Sequence, residues 1–129
     1  MSITNLRVFR SAAWLCIVLL AVLSLMPGSV QMRSGMPGGF EHAIAYFGTA
    51  TMFMLGYHKS GRLVAAGLLA YGGLLETLQL FAPGRVPNIA DAGASGAGSI
   101  LGVIVWTVLL EHWRRDSHSG DDREPIKGH

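Results

Sequence analysis

Cysteine and charged residues are both scarce in this chain, and each scarcity excludes a class of protein. The 129 residues include one cysteine, Cys16, which excludes an internal disulfide framework and a cysteine-ligated metal site. Charged residues make up 14% of the chain, whereas a soluble domain carries about 25%. The length allows one domain, and the deficit of charge indicates that much of its surface does not face water.

The basic residues do not indicate a nucleic-acid partner, although the sequence pI of about 9.0 would suit one. They are scattered at the ends of apolar runs and form no patch. We therefore interpret them as topology signals and expect no binding of nucleic acid.

Half of the residues are hydrophobic, and they are concentrated in four segments. We predict membrane spans at about 11–27, 41–58, 62–82 and 90–112. A bilayer core of about 30 Å needs about 20 apolar residues, which the last two segments supply and the first two barely reach. The short connections, rich in proline and glycine, favour antiparallel neighbours. The predicted fold is all-α: a membrane-embedded antiparallel bundle of four transmembrane helices over 1–115, with a polar, disordered tail over 116–129.

Counting lysine and arginine predicts that both termini are cytoplasmic. Two basic residues, Arg33 and Arg85, then lie outside. The eight inside are Arg7, Arg10, Lys59, Arg62, Arg114, Arg115, Arg123 and Lys127. A cleaved signal peptide is the alternative for the first segment, since a basic start precedes an apolar stretch of suitable length. Cleavage would leave three spans with unchanged orientation.

Five polar residues form a candidate site, because ionisable side chains within a membrane are costly and usually functional. They are His42, Glu76, Gln79, Arg85 and Asp91, and all are predicted in the outer half. Glu76 lies roughly 9–10 Å deep in the third helix, so it needs an internal partner or a proton. Gln79 shares its helix face, and Arg85 is the natural counter-ion for Glu76 or Asp91.

Purely structural explanations exist for the same residues. Glu76 and Gln79 can join helices by hydrogen bonds, and either Asp91 or Asn88 can cap the fourth helix. A histidine at a helix start is often an interface residue, and an arginine in a loop is often simply solvated. We favour a site because three segments contribute to the same end. Further along, Ala94, Gly98 and Gly102 form a small-xxx-small ridge that predicts tight helix packing.

Three stretches together resemble the VanZ-like family of small multi-pass membrane proteins. They are 41–47 (EHAIAYF), 76–85 (ETLQLFAPGR, with the pattern E-x-x-Q-x-x-x-P-x-R), and Asp91 followed by a helix of small residues. The resemblance covers about 38–110 and implies a four-span bacterial cell-membrane protein of a type associated with teicoplanin resistance. Many members carry an Asp-Lys pair before the histidine, where this chain has Gly38 and Gly39.

Three functions are open at this point. We favour a non-enzymatic envelope protein whose outer site binds a lipid headgroup, a cell-wall precursor or a glycopeptide, with membrane lipids as partners and without cofactor or metal. The alternative is an enzyme acting on a lipid-linked substrate, with Glu76 or Asp91 as base, His42 as acid or base, and Arg85 as phosphate clamp. The third is a small transporter, which would need a homo-oligomer because four spans are few for a transport path.

Overall fold

The described part of the chain is helical throughout. The computed structural model describes residues 3–27, 38–57, 61–84 and 88–119. Its elements are α1 (Ile3–Leu25), α2 (Gly38–Gly56), α3 (Gly61–Leu78), a 3-10 turn (Gln79–Phe81) and α4 (Ile89–Ser119). These residues contain no strand, so the prediction of an all-α chain with four main helices is confirmed.

Three of the four helices are long and apolar enough to cross a membrane. The qualifying segments are Thr4–Leu25, Gly61–Phe81 and Ile89–Trp113, of 22, 21 and 25 residues. The second predicted span, α2, does not qualify, because Glu41 and His42 lower the hydropathy of a helix of 19 residues. The chain therefore has the character of a membrane protein, with three clear candidate spans.

Two helix boundaries differ from the predicted ones. α1 begins at Ile3 rather than near Ser11, because Leu6, Val8 and Phe9 continue the apolar pattern between the basic residues. α4 continues through Ser119, so residues 116–119 are helical where the sequence predicts a disordered tail. Basic residues near the carboxyl end of a helix favour such an extension through the helix dipole. The rest of the predicted tail, 120–129, lies outside the described residues.

The centre of the fold is the interface between α2 and α4, which is more extensive than any other pair. α1 packs on α2, and α3 packs on α4. The α1–α2 pair is antiparallel, since Arg10 Nε donates to the Gly56 carbonyl at 2.9 Å. At the opposite end of α2, Gly39 lies against Asp91 and Ala94 of α4. α2 and α4 therefore run parallel, and α1 and α3 run the other way.

Glycines on α4 make the close approach to α2 possible. A Cβ atom on Gly98 would overlap the backbone carbonyl of Ala43. One on Gly102 would lie 2.8 Å from the Phe47 carbonyl oxygen. The ridge predicted for packing thus faces α2, with Ala94 opposite Gly39 at its first turn. Small residues let helix backbones meet in this way when lipid supplies no hydrophobic driving force between them.

Many large apolar side chains lie on the surface of the bundle rather than in its interior. The interior combines small or hydroxylated residues such as Thr49 and Ser99 with a few large apolar ones such as Leu68, all buried. Large apolar side chains point outward along the helices, including Val18 at 56% exposed and Leu63 at 73%. A contiguous apolar surface of this kind indicates contact with another apolar phase, which agrees with membrane-crossing helices.

Candidate polar site at one end of the bundle

Three of the five predicted site residues converge in space. His42 of α2, Glu76 of α3 and Asp91 of α4 each offer one nitrogen or oxygen atom, and these atoms all lie within 4.8 Å of one another. All three side chains are half-buried. They meet where α2 and α4 begin and where α1 and α3 end, which we term the site end. The three are far apart in sequence and are joined only by helix packing.

Asn88 fixes the local geometry at the start of α4. Its side-chain Oδ1 accepts a hydrogen bond from the Ala90 N–H at 3.0 Å, which is the pattern of a helix N-cap. Its backbone N–H donates to Oε2 of Glu76 at 3.2 Å. The sequence allowed either Asn88 or Asp91 as the cap, and the capping bond is made by Asn88. The carboxylate of Asp91 lies instead with His42 and Glu76.

Ser95 and Tyr46 form the floor of the site. Ser95 Oγ donates to the Asp91 carbonyl at 2.9 Å and lies 3.5 Å from His42 Nδ1, at the outer limit of a hydrogen bond. The Tyr46 side chain is 2% exposed, and its hydroxyl is hydrogen-bonded to Ser95. Gly72 of α3 lies beside this pair, since a Cβ there would be 3.4 Å from the Tyr46 hydroxyl oxygen. The sequence placed Tyr46 on the His42 face and Ser95 on the packing face, without linking them.

The remaining two predicted members do not join the cluster in the described structure. Gln79 is 4% exposed, and its Nε2 donates to Ser24 Oγ of α1 at 2.7 Å. It therefore connects the 3-10 turn to α1, which corresponds to the structural explanation given above. Ser24 itself was missed, since a serine near the end of an apolar run carries no distinguishing signal. Arg85 lies outside the described residues.

A small crevice gives access to the site from the side. It has a volume of about 120 Å³ and lies between the end of α1 and the start of α2. Its lining includes Leu20, Leu23 and Ser24 on α1, and Glu41, His42 and Tyr46 on α2. The lining combines apolar side chains with a few polar groups.

The opposite end carries an aromatic cluster that sequence reasoning missed. The Trp14 indole N–H donates to the Tyr57 hydroxyl at 3.0 Å, and the Arg10 guanidinium lies 4.8 Å from the Tyr57 ring centroid. An apolar groove of about 510 Å³ adjoins this cluster between α1 and α3. Tryptophan and tyrosine near the end of a span are typical of the membrane–water interface. Trp14 and Tyr57 were therefore the signal from which the cluster could have been predicted.

Chemically, two carboxylates and an imidazole within reach of one another can exchange protons or coordinate a cation. The described basic side chains, those of Arg7, Arg10 and Arg62, belong to the other ends of their helices. Within the described residues the site is therefore acidic. Comparison with protein-family models, curated proteins and solved structures finds no match to this chain. The resemblance to the VanZ-like family thus stays a prediction from the sequence pattern.

Proposed function

We propose that this protein crosses the membrane four times and binds the polar headgroup of a lipid, or of a lipid-linked cell-wall precursor, at the site end. It would do so without catalysing a reaction. The observation that carries the proposal is the convergence of His42, Glu76 and Asp91 from three helices within 4.8 Å. Polar groups of this kind are costly in a membrane protein and are usually kept for a function.

The packing of α2 supports its role as a fourth span. It lies between α1 and α4 and shares its largest interface with α4, which is one of the three clear candidate spans. Glu41 and His42 lie in its first turns, where they would reach the headgroup region. The remainder of α2 is apolar or carries small hydroxyl groups such as Thr49, whose Oγ1 donates to the Ala45 carbonyl at 2.8 Å.

The distribution of basic residues supports an outward-facing site end. Arg7 and Arg10 lie at the start of α1 and Arg62 at the start of α3, all distant from the site end. The positive-inside rule would place those helix starts in the cytoplasm. Both termini would then be cytoplasmic, in a bacterial plasma membrane if the VanZ-like resemblance holds.

The charge of the site favours a headgroup with hydrogen-bond donors. The carboxylates of Glu76 and Asp91 accept hydrogen bonds and repel anions, so an ammonium group or sugar hydroxyls would face them. The crevice beside His42 would hold the start of an acyl or polyprenyl chain, because Leu20 and Leu23 line it.

Lipid co-purification tests this proposal. The full chain and its Glu76→Gln, Asp91→Asn and His42→Gln variants would be extracted in the same mild detergent, and the bound lipids would be identified by native mass spectrometry. We expect one headgroup class enriched on the wild type and reduced about tenfold or more on the variants, since a hydrogen bond to a charged group contributes about 1.5–3 kcal/mol. Glu111→Gln, an exposed carboxylate at the other end of α4, is the matched control. An identical lipid profile on all five proteins would contradict headgroup binding at this site.

Catalysis on a lipid-linked substrate is the second candidate. His42 and the two carboxylates lie close enough to share a substrate, and they are the residue types used in general acid–base chemistry. Cellular lipid profiles and glycopeptide sensitivity would be compared in strains carrying the wild type, Glu76→Gln and no protein. Accumulation of a lipid intermediate in the Glu76→Gln strain would favour catalysis. A lipid profile and phenotype equal to the wild type would exclude Glu76 as a catalytic base.

A further inference from the structure

We propose that His42, Glu76 and Asp91 bind a divalent transition-metal ion of the zinc class. One ligand atom from each residue lies within 4.8 Å of the other two. Ligands about 2.1 Å from a tetrahedral zinc ion stand about 3.4 Å apart. The ligand atoms would therefore have to approach one another by up to about 1.4 Å on binding the ion. Changes in side-chain torsion angles would supply that movement. From the sequence we expected no metal, because the three residues form no local ligand spacing.

Charge supports the presence of a cation. Two half-buried carboxylates close together are unfavourable unless they are paired or coordinate a metal. The described basic side chains belong to the opposite ends of their helices. A divalent ion would balance the charge of both carboxylates.

The groups around the three residues resemble the supporting partners of a metal site, which orient ligands by hydrogen bonds to their other atoms. The Asn88 N–H donates to Oε2 of Glu76 at 3.2 Å and so orients this carboxylate. Ser95 Oγ already donates to the Asp91 carbonyl, so toward His42 Nδ1, 3.5 Å away, it acts as an acceptor. With its proton on Nδ1, His42 would present the Nε2 lone pair to the ion.

The ligand set indicates which ion and how it would be used. Imidazole favours zinc and its neighbours over magnesium and calcium, which prefer sets of oxygens alone. Three protein ligands leave a coordination position open, as in zinc sites that bind water or substrate. That position would let a phosphate oxygen approach two carboxylates that would otherwise repel it. The ion itself does not require the proposed headgroup binding.

Metal titration of the lipid-free protein in detergent tests the inference. The full chain would carry a histidine-free tag, be stripped with a chelator, and be titrated separately with Zn²⁺, Mn²⁺ and Mg²⁺ by calorimetry, with bound metal counted by mass spectrometry. We expect one zinc ion per chain, bound more tightly than magnesium. His42→Gln, Glu76→Gln and Asp91→Asn should each weaken zinc binding about tenfold or more, because each removes a ligand. His112→Gln and Glu111→Gln, at the far end of α4, should leave it unchanged.

Several results would overturn the metal site. They are no zinc bound to the wild type, as much zinc bound to a variant that combines His42→Gln, Glu76→Gln and Asp91→Asn as to the wild type, or magnesium bound more tightly than zinc. Zinc bound only by Arg85→Gln would show that Arg85 occupies the site in place of an ion.

Tryptophan fluorescence on heating would confirm that each variant is folded. If a ligand variant is unfolded, Ser95→Ala replaces it, and a few-fold loss of zinc affinity in a folded protein is then expected. Zinc binding without headgroup enrichment would support the ion and count against the proposed function.

Discussion

The backbone N–H of Asn88 donates to Oε2 of Glu76 at 3.2 Å and thereby joins the start of α4 to the end of α3. The same residue caps α4 through its side chain. One residue thus sets the position of a carboxylate on one helix and the first turn of the next. Asp91, three residues further on, is consequently held beside Glu76 and His42.

Replacing Asn88 should separate its two roles. In Asn88→Ala the side-chain cap is lost while the backbone donor to Glu76 stays. We expect the free energy of unfolding to fall by about 1 kcal/mol, the usual effect of removing a cap. Asn88→Ser, which keeps a capping oxygen, should retain most of the stability. Thermal unfolding in detergent, followed by tryptophan fluorescence, measures both, and equal melting temperatures for Asn88→Ala and wild type would argue against the cap.

The packing of α2 against α4 should depend on individual glycines. Gly98→Ala would drive a methyl group into the Ala43 carbonyl, and overpacking of this kind typically costs about 1–3 kcal/mol. Gly93→Ala is the matched control on the same helix, because a Cβ there meets nothing within 4 Å. We expect Gly93→Ala to be neutral or slightly stabilising, since alanine is the better helix former. If both variants unfolded at the same temperature, close contact at Gly98 would be excluded.

The hydrogen bond between Gln79 and Ser24 should be measurable as a coupling energy. Its Nε2 to Oγ distance is 2.7 Å, and it links the end of α3 to the end of α1. A double-mutant cycle of Gln79→Leu and Ser24→Ala should give a coupling of about 0.5–1.5 kcal/mol. Unfolding in a denaturing detergent supplies the four free energies. A coupling indistinguishable from zero would mean that α1 is not held to the site end by this bond.

Cysteine labelling of intact cells should establish the orientation. In a Cys16→Ser background, Pro83→Cys lies beyond the end of α3, and Glu111→Cys lies near the opposite end of α4. An outward-facing site end predicts that a membrane-impermeant maleimide labels position 83 and leaves 111 unlabelled until the cells are opened. The reversed pattern would invert the topology, and labelling of both positions in intact cells would exclude α4, the helix that separates them, as a span.

The sequence predicted the helices better than their partners. The apolar runs indicated four helices, and the ridge of Ala94, Gly98 and Gly102 indicated where one of them packs closely. The partner of that ridge, α2, could not be read from the pattern, because tight connections favour consecutive helices as neighbours, whereas α2 and α4 are not consecutive. The full lengths of α1 and α4 could not be read from the apolar runs, since charged residues beyond an apolar run can continue a helix outside the bilayer core.

The candidate site was predictable in part. Deep or helix-terminal polar residues identified His42, Glu76 and Asp91, because such residues are conspicuous in an apolar sequence. Gln79 carried the same signal, yet its side chain contacts α1 rather than the cluster. Gln79 is the first residue of the 3-10 turn. Periodicity assumes a regular α-helix and does not include that change.

Chemical cross-linking tests the convergence of the three side chains most directly. In the Cys16→Ser background, His42→Cys would be paired with Asp91→Cys or with Glu76→Cys, and a protease site would be placed in the connection between α2 and α3. A short bis-thiol reagent applied in native membranes should then hold the two protease fragments together on a gel for both pairs. His42→Cys paired with Glu111→Cys should give separate fragments. Separate fragments from the 42/91 and 42/76 pairs would contradict a shared site.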